Sequence, residues 1–314
     1  MFKKFIIALS CLLFSLLFAG CDMFSFEIVD DSTNSSNIYG ELPTAKATEK
    51  GTTTTQKDNS VAKVHFIDVG QADSIFLEFS GKTMVIDGGN KDDGTLVVNY
   101  IKKCGYSNLD YMIATHPHED HIGGLPDVLS SFKTKEVYLP KTKAGTQIYK
   151  SFEKGIKKNG AKKIVAKKDL EIYKDSKATV TIISDENAVD TTDLNDSSIV
   201  IKFTYGSNSF MFTGDAGTAV EDNILKRYSS DFLNVDVLKV GHHGSKTSSS
   251  EKWLKTLSPK YSVIMCETNN KYGHPHKQTL NKLNKIKTKV LRTDLAGTIV
   301  FETNGESIKY SQAK

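Results

Sequence analysis

From Val61 onward, apolar and polar residues alternate in short runs separated by turn residues. Val61 to Val69 (VAKVHFIDV) predicts a strand, as do Ser74 to Phe79 and Thr83 to Ile86. A helix is predicted over about Thr95 to Cys104, a strand over Asp110 to Ala114, and a helix from Leu125. Residues 133–177 read as a helix over about 146–159 and short strands around 163–173. Strands are expected at 178–183, 197–205 and 208–213, then a helix running to about Tyr228. A strand from Val235 to Val240, a helix near 250–257, a strand at 261–265, a helix at about 276–287 and terminal strands complete the pattern. No segment repeats at a fixed period. Strand-rich halves with interleaved helices predict two sheets sandwiched between helices.

The first sixty residues follow a different pattern. Lys3 and Lys4 precede an apolar run from Phe5 to Phe18, then Ala19-Gly20-Cys21. That run is short for a membrane span and fits a signal peptide. Small residues directly before a cysteine resemble the bacterial lipoprotein processing site, with Cys21 as the lipidated residue. Ordinary cleavage and an uncleaved anchor are the alternatives. Each version places the remainder outside the cytoplasm, and the lipid version holds it to the cell membrane. Residues 22–60 are polar, with few apolar side chains to bury, and read as a flexible tether. Residues 61–314 are then the folded domain.

The chain has 314 residues, 39% of them apolar, enough for a sizeable core. Its net charge is +4, almost all of the positive charge being lysine, since the only arginines are Arg227 and Arg292. Residues 133–177 hold 14 lysines against five acidic residues. Such a stretch can attract a polyanion or merely solvate a face, and aromatic residues for base stacking are sparse there. Cys104 and Cys266 remain after the leader, with no metal-finger spacing; one disulfide between them is possible, two buried free thiols are the favoured reading, and no disulfide framework exists.

The chemistry concentrates in Thr115-His116-Pro117-His118-Glu119-Asp120-His121-Ile122-Gly123-Gly124. Three histidines and an aspartate fall within six residues behind an apolar run. Imidazole and carboxylate suit zinc or manganese. The order suits two adjacent ions, His116 and His118 on one, Asp120 and His121 on the other. No histidine lies between His121 and His242, so carboxylates and later histidines must complete the site. Asp215 ends the apolar strand Phe210-Met211-Phe212-Thr213-Gly214 and is the candidate to bridge two cations. Adjacent residues at a strand end point opposite ways. One of His242 and His243 is therefore expected to bind metal while the other faces substrate or hydrogen-bonds a ligand from behind. We take His243 as the ligand and His242 as the catalytic member, an order the sequence leaves open. His274, in Tyr272-Gly273-His274-Pro275, is a candidate cation or general acid. Asp120 counts as both ligand and catalytic residue. His276 reads as surface, and His65 as a core or edge histidine.

These motifs resemble the metallo-β-lactamase superfamily, and more closely the soluble metallohydrolase domain of the ComEC competence family. The similarity runs through Ile67-Asp68-Val69-Gly70-Gln71-Ala72-Asp73-Ser74, Ile86-Asp87-Gly88-Gly89, Asn195-Asp196-Ser197-Ser198, Thr213-Gly214-Asp215, His242-His243-Gly244-Ser245, Tyr272-Gly273-His274-Pro275 and Arg292-Thr293-Asp294. It covers about residues 62–304. It implies an α+β fold, the four-layer αββα sandwich, with two divalent ions, zinc or manganese, at one edge. It implies His116, His118, Asp120, His121, Asp215 and one of His242/His243 as ligands. Asp68, Gln71, Asp73, Asp87, Asn195 and Ser198 would shape the pocket or orient those ligands, and His274 would meet the substrate phosphate or protonate the leaving group. Many superfamily members carry a further metal-binding histidine where Asn195-Asp196-Ser197-Ser198 stands here, which argues against a β-lactamase or glyoxalase type. Ala72 replaces a common glycine. ComEC proteins join this domain to a membrane channel, and the multi-span segments of a channel are missing from this sequence.

The expected function is a binuclear metal-dependent hydrolase, a phosphodiesterase or nuclease on extracellular DNA or RNA. Its partner is then an anionic phosphodiester, and its contact with membrane is through lipid alone. The alternatives are a phosphorylcholine esterase acting on cell-wall polymers, which predicts an aromatic cage, and a non-catalytic surface binding protein.

Overall fold

The computed structural model describes residues 60–314 and the backbone of Glu27–Val29. The leader, Cys21 and the rest of 22–59 lie outside the described residues. The chain enters one sheet through β1 (Glu27–Val29), β2 (Ala62–Phe66), β3 (Ile75–Phe79), β4 (Lys82–Ile86), β5 (Asn108–Ile113), β6 (Lys133–Leu139) and β7 (Lys162–Val165). It then builds a second sheet from β8 (Leu170–Lys174), β9 (Ala178–Ile182), β10 (Ile201–Tyr205), β11 (Asn208–Phe212), β12 (Val237–Lys239), β13 (Tyr261–Ile264) and β14 (Lys289–Arg292). It returns to the first sheet with β15 (Ile299–Thr303) and β16 (Ile308–Gln312). The orders are β1-β16-β15-β2-β3-β4-β5-β6-β7 and β14-β13-β12-β11-β10-β9-β8. β1 falls inside the stretch read as a tether and pairs antiparallel with β16.

Side-chain alternation explains the layering. In β10, Ile201, Phe203 and Tyr205 are buried while Lys202 and Thr204 are not. β11 is buried on both faces: Phe210 and Phe212 point to the other sheet, and Met211 to the helices behind. Between the sheets Phe66 meets Phe212 and Phe210 meets Phe301, with ring centroids 6.2 and 6.1 Å apart. Each fully buried phenylalanine contributes about 1.5–3 kcal/mol. Helices α1 (Gly94–Lys103), α3 (Leu125–Ser131) and α4 (Gln147–Asn159) bury Val97, Ile101, Val128, Phe152 and Ile156 in this larger core. The short α2 (Glu119–Ile122) precedes α3. Helices α5 (Thr218–Arg227), α7 (Glu251–Leu257) and α8 (Lys277–Lys285) cover the second sheet through Val220, Ile224, Trp253, Leu254 and Leu283. Single turns α6 (Ser230–Leu233) and α9 (Thr293–Ala296) complete the elements. The result is the four-layer αββα sandwich.

Three differences from the sequence reading have local causes. β6 was not expected, because its lysines mask it. Lys133 and Lys135 are exposed while Thr134, Val137 and Leu139 are buried, which is strand alternation on a lysine-rich background. The strand expected at 197–205 starts only at Ile201, since Asp193 accepts from the Asn195 N–H and winds Leu194–Ser197 into a turn. The metal motif contains a helical turn, α2, rather than a plain loop. Cys104 and Cys266 are both free thiols. Among the described residues no helix is long and apolar enough to cross a membrane.

Strands β4 to β7 run parallel, as do β11 to β14. Loops leaving the C-terminal ends of β4, β5, β11, β12 and β13 therefore gather at one edge of the sandwich, the usual ligand edge of parallel sheets. Gly123 and Gly124 let these loops touch. A Cβ on Gly124 would lie 2.2 Å from the Gly88 carbonyl oxygen, and one on Gly123 2.3 Å from the Lys91 nitrogen. Gly124→Ala is expected to destabilise the fold by about 1–3 kcal/mol, the ordinary cost of overpacking. A thermal melt matching the parent would contradict that close approach.

Candidate metal centre

The site is organised around one carboxylate. Asp215 follows β11, is buried, and has its backbone N–H held by Ser198 Oγ at 3.1 Å. Four imidazoles converge on it, two per oxygen. His121 Nε2 and His243 Nε2 lie 3.3 and 3.7 Å from Oδ1, and His242 Nε2 and His116 Nε2 lie 3.6 and 3.9 Å from Oδ2. His118 Nδ1 is 3.0 Å from His116 Nε2, and Asp120 Oδ2 is 3.4 Å from His243 Nε2. Two groups follow: His116, His118, His242 and Asp215 Oδ2; Asp120, His121, His243 and Asp215 Oδ1.

Each of the four convergent rings is oriented from behind, as ligating imidazoles are. His121 Nδ1 meets Asp87 Oδ2 at 2.8 Å, and His243 Nδ1 meets the Met265 carbonyl at 3.0 Å. His242 Nδ1 faces Thr247 Oγ1 at 3.2 Å, and His116 Nδ1 faces Thr115 Oγ1 at 3.2 Å. Asp87 itself accepts from the Thr115 N–H and hydroxyl at 2.8 and 2.6 Å. The expected alternation of His242 and His243 at a strand end is not what the chain does. β12 stops at Lys239, and both histidines adopt left-handed backbone, φ 50° and 51°. This costly conformation turns two adjacent rings onto the two oxygens of one carboxylate.

The polar atoms at the centre test whether metal fits. His121 Nε2, His243 Nε2 and Asp215 Oδ1 are buried without a hydrogen-bond partner. The ligand atoms of Asp120, His121, Asp215 and His243 all lie within 4.8 Å of one another. Buried polar atoms left unpartnered are costly, and nitrogen and oxygen ligand atoms so placed suit a divalent cation. Burial disfavours a charge on His243, yet Asp215 and Asp73 outweigh it and push its pKa up to about 10. Burial likewise opposes charge on His121, and Asp215, Asp87 and Asp120 hold its pKa well above the usual range. Without metal, protons neutralise these carboxylates.

Lys239 is the residue that sequence reading missed. It is fully buried, and its Nζ lies 2.8 Å from Asp73 Oδ2 and 2.8 Å from the Val240 carbonyl. Asp73 in turn lies 3.3 Å from His243 Nδ1. Burial raises the Asp73 pKa, but Lys239 and His243 more than reverse this. The available signal was a lysine inside an apolar strand of a two-faced parallel sheet. Lys239→Met removes the nearest cation from Asp73, leaving His243 as its closest remaining charged partner, and is expected to cost about 3–5 kcal/mol, with the Asp73→Asn, Lys239→Met double variant recovering part of it. Additive denaturation energies across that cycle would deny the pairing.

The remaining expected residues lie around a cleft of about 1010 Å³. Asp68, Gln71, Asn195 and His274 line it. Asp68 holds the Gly70 N–H at 3.4 Å and pairs with Lys314 at 3.4 Å. Asn195 Oδ1 is buried without a hydrogen-bond partner. His274 departs from the expected cation: burial, with His243, His242 and His276, lowers its pKa to about 4. His276 is half-buried, not surface, and its Nδ1 accepts from the Lys246 N–H at 3.0 Å. His65 is a core histidine bonded to Tyr100 and Glu78.

The family model described as the metallo-beta-lactamase superfamily matches residues 67–268. The chain belongs to the metallo-β-lactamase superfamily. As a superfamily member it is 30% identical over 268 residues to ComE operon protein 3 of Bacillus subtilis, spanning 77% of this chain and 33% of that protein. It is 41% identical over 58 residues to ribonuclease Z of Clostridioides difficile, 18% of each chain. In fold it is similar to the metallo-beta-lactamase fold protein YhfI from Bacillus subtilis, with a TM-score of 0.53 at 14% identity, covering 77% of this chain and 100% of that one. This metallo-β-lactamase domain thus corresponds to about a third of the competence relative's length.

Proposed function

We propose that the chain is a binuclear metal phosphodiesterase that cleaves a nucleic-acid strand, DNA or RNA, outside the cytoplasm. The observation that carries it is the division of Asp215, one oxygen to each ligand group. His116, His118 and His242 would hold one divalent ion, Asp120, His121 and His243 the other, with zinc and manganese both suited to the donors. When bound, such a pair supplies positive charge opposite a reacting phosphoryl group and acidifies water. Asp87, Thr115, Thr247 and the Met265 carbonyl keep the imidazole rings aimed. The name of the ribonuclease relative supports a nucleic-acid substrate, and the leader with Cys21 supports a lipid-tethered location.

The lysine-rich stretch gives this reading no help. Among the described residues none of 133–177 lines the cleft. Lys135, Lys162 and Lys174 are exposed and pair with Asp110, Glu136 and Glu171, as a solvated face does. The cleft wall instead carries Asp68, Asp93, Glu119 and Glu267 against Lys271. Tyr272, 53% exposed, stands on the rim. One aromatic ring among the lining residues is not the cage expected of a phosphorylcholine esterase, and it is the acidic wall, suited to a cationic substituent, that keeps this ester as the second reading.

The test is hydrolysis of bis-p-nitrophenyl phosphate by the metal-stripped chain resupplied with zinc or manganese, beside His118→Ala. Metal-dependent turnover lost in the variant is the expected result. A panel of DNA, RNA and phosphocholine esters then separates the substrates. Stoichiometric metal binding with no turnover of any of them would move the chain to a binding role.

A further inference from the structure

His274 sits on the loop between β13 and α8, and one side chain ties that loop. Asn270 Oδ1 accepts from the N–H groups of Tyr272 and His274 at 3.2 and 3.0 Å. Its Nδ2 donates to the carbonyls of Glu267 and His274 at 2.8 and 2.5 Å. Below, Asp294 takes Arg292 Nε at 2.9 Å and the Thr268 hydroxyl at 3.4 Å, bracing the start of the loop. The backbone of His274 is therefore held before any substrate arrives.

The state of its ring is set from the opposite wall. Gln71 lies on the turn after β2, and its Oε1 accepts from the Glu267 backbone N–H at 3.3 Å. A backbone N–H can only donate, so the amide oxygen must be the end facing Glu267. The amide nitrogen then faces His274 Nδ1 at 3.3 Å. An NH₂ group can only donate, so Nδ1 must be the unprotonated nitrogen. The neutral ring carries its proton on Nε2. It lies among the site's imidazoles, 5.5 Å from the His242 ring and 6.3 Å from the His243 ring, with Tyr272 stacked at 5.6 Å.

We propose that Gln71 is a positioning residue that fixes His274 as the Nε2–H tautomer, making it a neutral hydrogen-bond donor to an oxygen of the bound substrate. This replaces the cation or general acid expected from sequence with a group that gives up no proton. It rests on the phosphodiesterase reading only in naming that oxygen, a phosphoryl oxygen. Gln71→Glu is the discriminating change, because a carboxylate of the same length accepts from both Glu267 and the ring and so calls for a proton on Nδ1.

The ring is read directly by two-bond proton–nitrogen correlation on the ¹⁵N-labelled, metal-stripped chain at pH 7, with His274 assigned by its loss in His274→Gln. The parent is expected to show Nε2 protonated and Nδ1 bare, and Gln71→Glu to reverse this. Gln71→Met, which keeps the volume and removes both bonds, is expected to give a mixture with the other histidine signals unmoved. A proton on Nδ1 in the parent, or an unreversed ring in Gln71→Glu, overturns the proposal. With metal resupplied, Gln71→Glu is expected to lower kcat for the aryl phosphodiester about a hundredfold, the scale of losing one aimed donor, with KM little changed. Parental kcat with a reversed ring would overturn the donor role. A parent that cleaves no phosphodiester sinks the phosphodiesterase reading, while the ring measurement still decides what Gln71 does.

Discussion

If the proposed binuclear reading holds, Asp215→Asn abolishes turnover, by at least about a thousandfold, and lowers bound metal from the proposed two ions per chain to one or fewer. The magnitude is that of removing a member of a group that acts as a unit. Asparagine keeps the size of the side chain but offers one oxygen and an NH₂ that repels a cation. Since His121 and His243 gather on Oδ1, and His116 and His242 on Oδ2, one of the two groups must lose its carboxylate whichever way the amide turns. Asp120→Asn touches one group, through His243, and is expected to spare one ion. Metal content by elemental analysis beside phosphodiester turnover checks both. Two ions retained in Asp215→Asn would remove the bridging role.

Metal loading is expected to release about two protons at pH 7, from His121 and His243, and to weaken steeply as pH falls. The sign follows from the metal-free site. Both rings are held protonated by the carboxylates around them, His243 up to about 10, and a ligand nitrogen must be bare. Below pH 10 the ion therefore competes with a proton at His243, and the competition grows with each unit of acidity. Stability of the metal-free chain moves the other way. A pKa raised from 6.5 to about 10 on folding contributes stability fully present below 6.5 and lost as pH rises to 10. The melting temperature of the stripped protein should thus fall between pH 7 and pH 10, while the loaded protein lacks that decline. Calorimetric titration in buffers of different ionisation heat measures the protons directly. A binding heat independent of buffer would refute the protonated apo site.

Legibility differed from residue to residue for physical reasons. The ligand candidates His116, His118, Asp120, His121 and Asp215 were readable because they fall in two short polar motifs that follow apolar strands. β6 was hidden because lysines on its exposed face imitate a solvated loop. Lys239 was hidden because strand patterns treat lysine as exposed, whereas this one neutralises Asp73 across the sheets. The geometry of His242 and His243 was misread because alternation assumes extended backbone, and both residues are left-handed. The lysine-rich stretch invited a polyanion reading that its position away from the cleft does not support.

Hydrophobic period and short motifs, which are local properties of the chain, were enough to give the superfamily and the layered fold and to single out candidate ligands. Only the tertiary structure decided how those side chains divide between two groups, which rings are oriented by which partners, and what charge lines the cleft. Those depend on residues far apart in sequence, such as Asp73 with Lys239 and Gln71 with His274, brought within hydrogen-bond reach at the edge where the two mixed sheets meet.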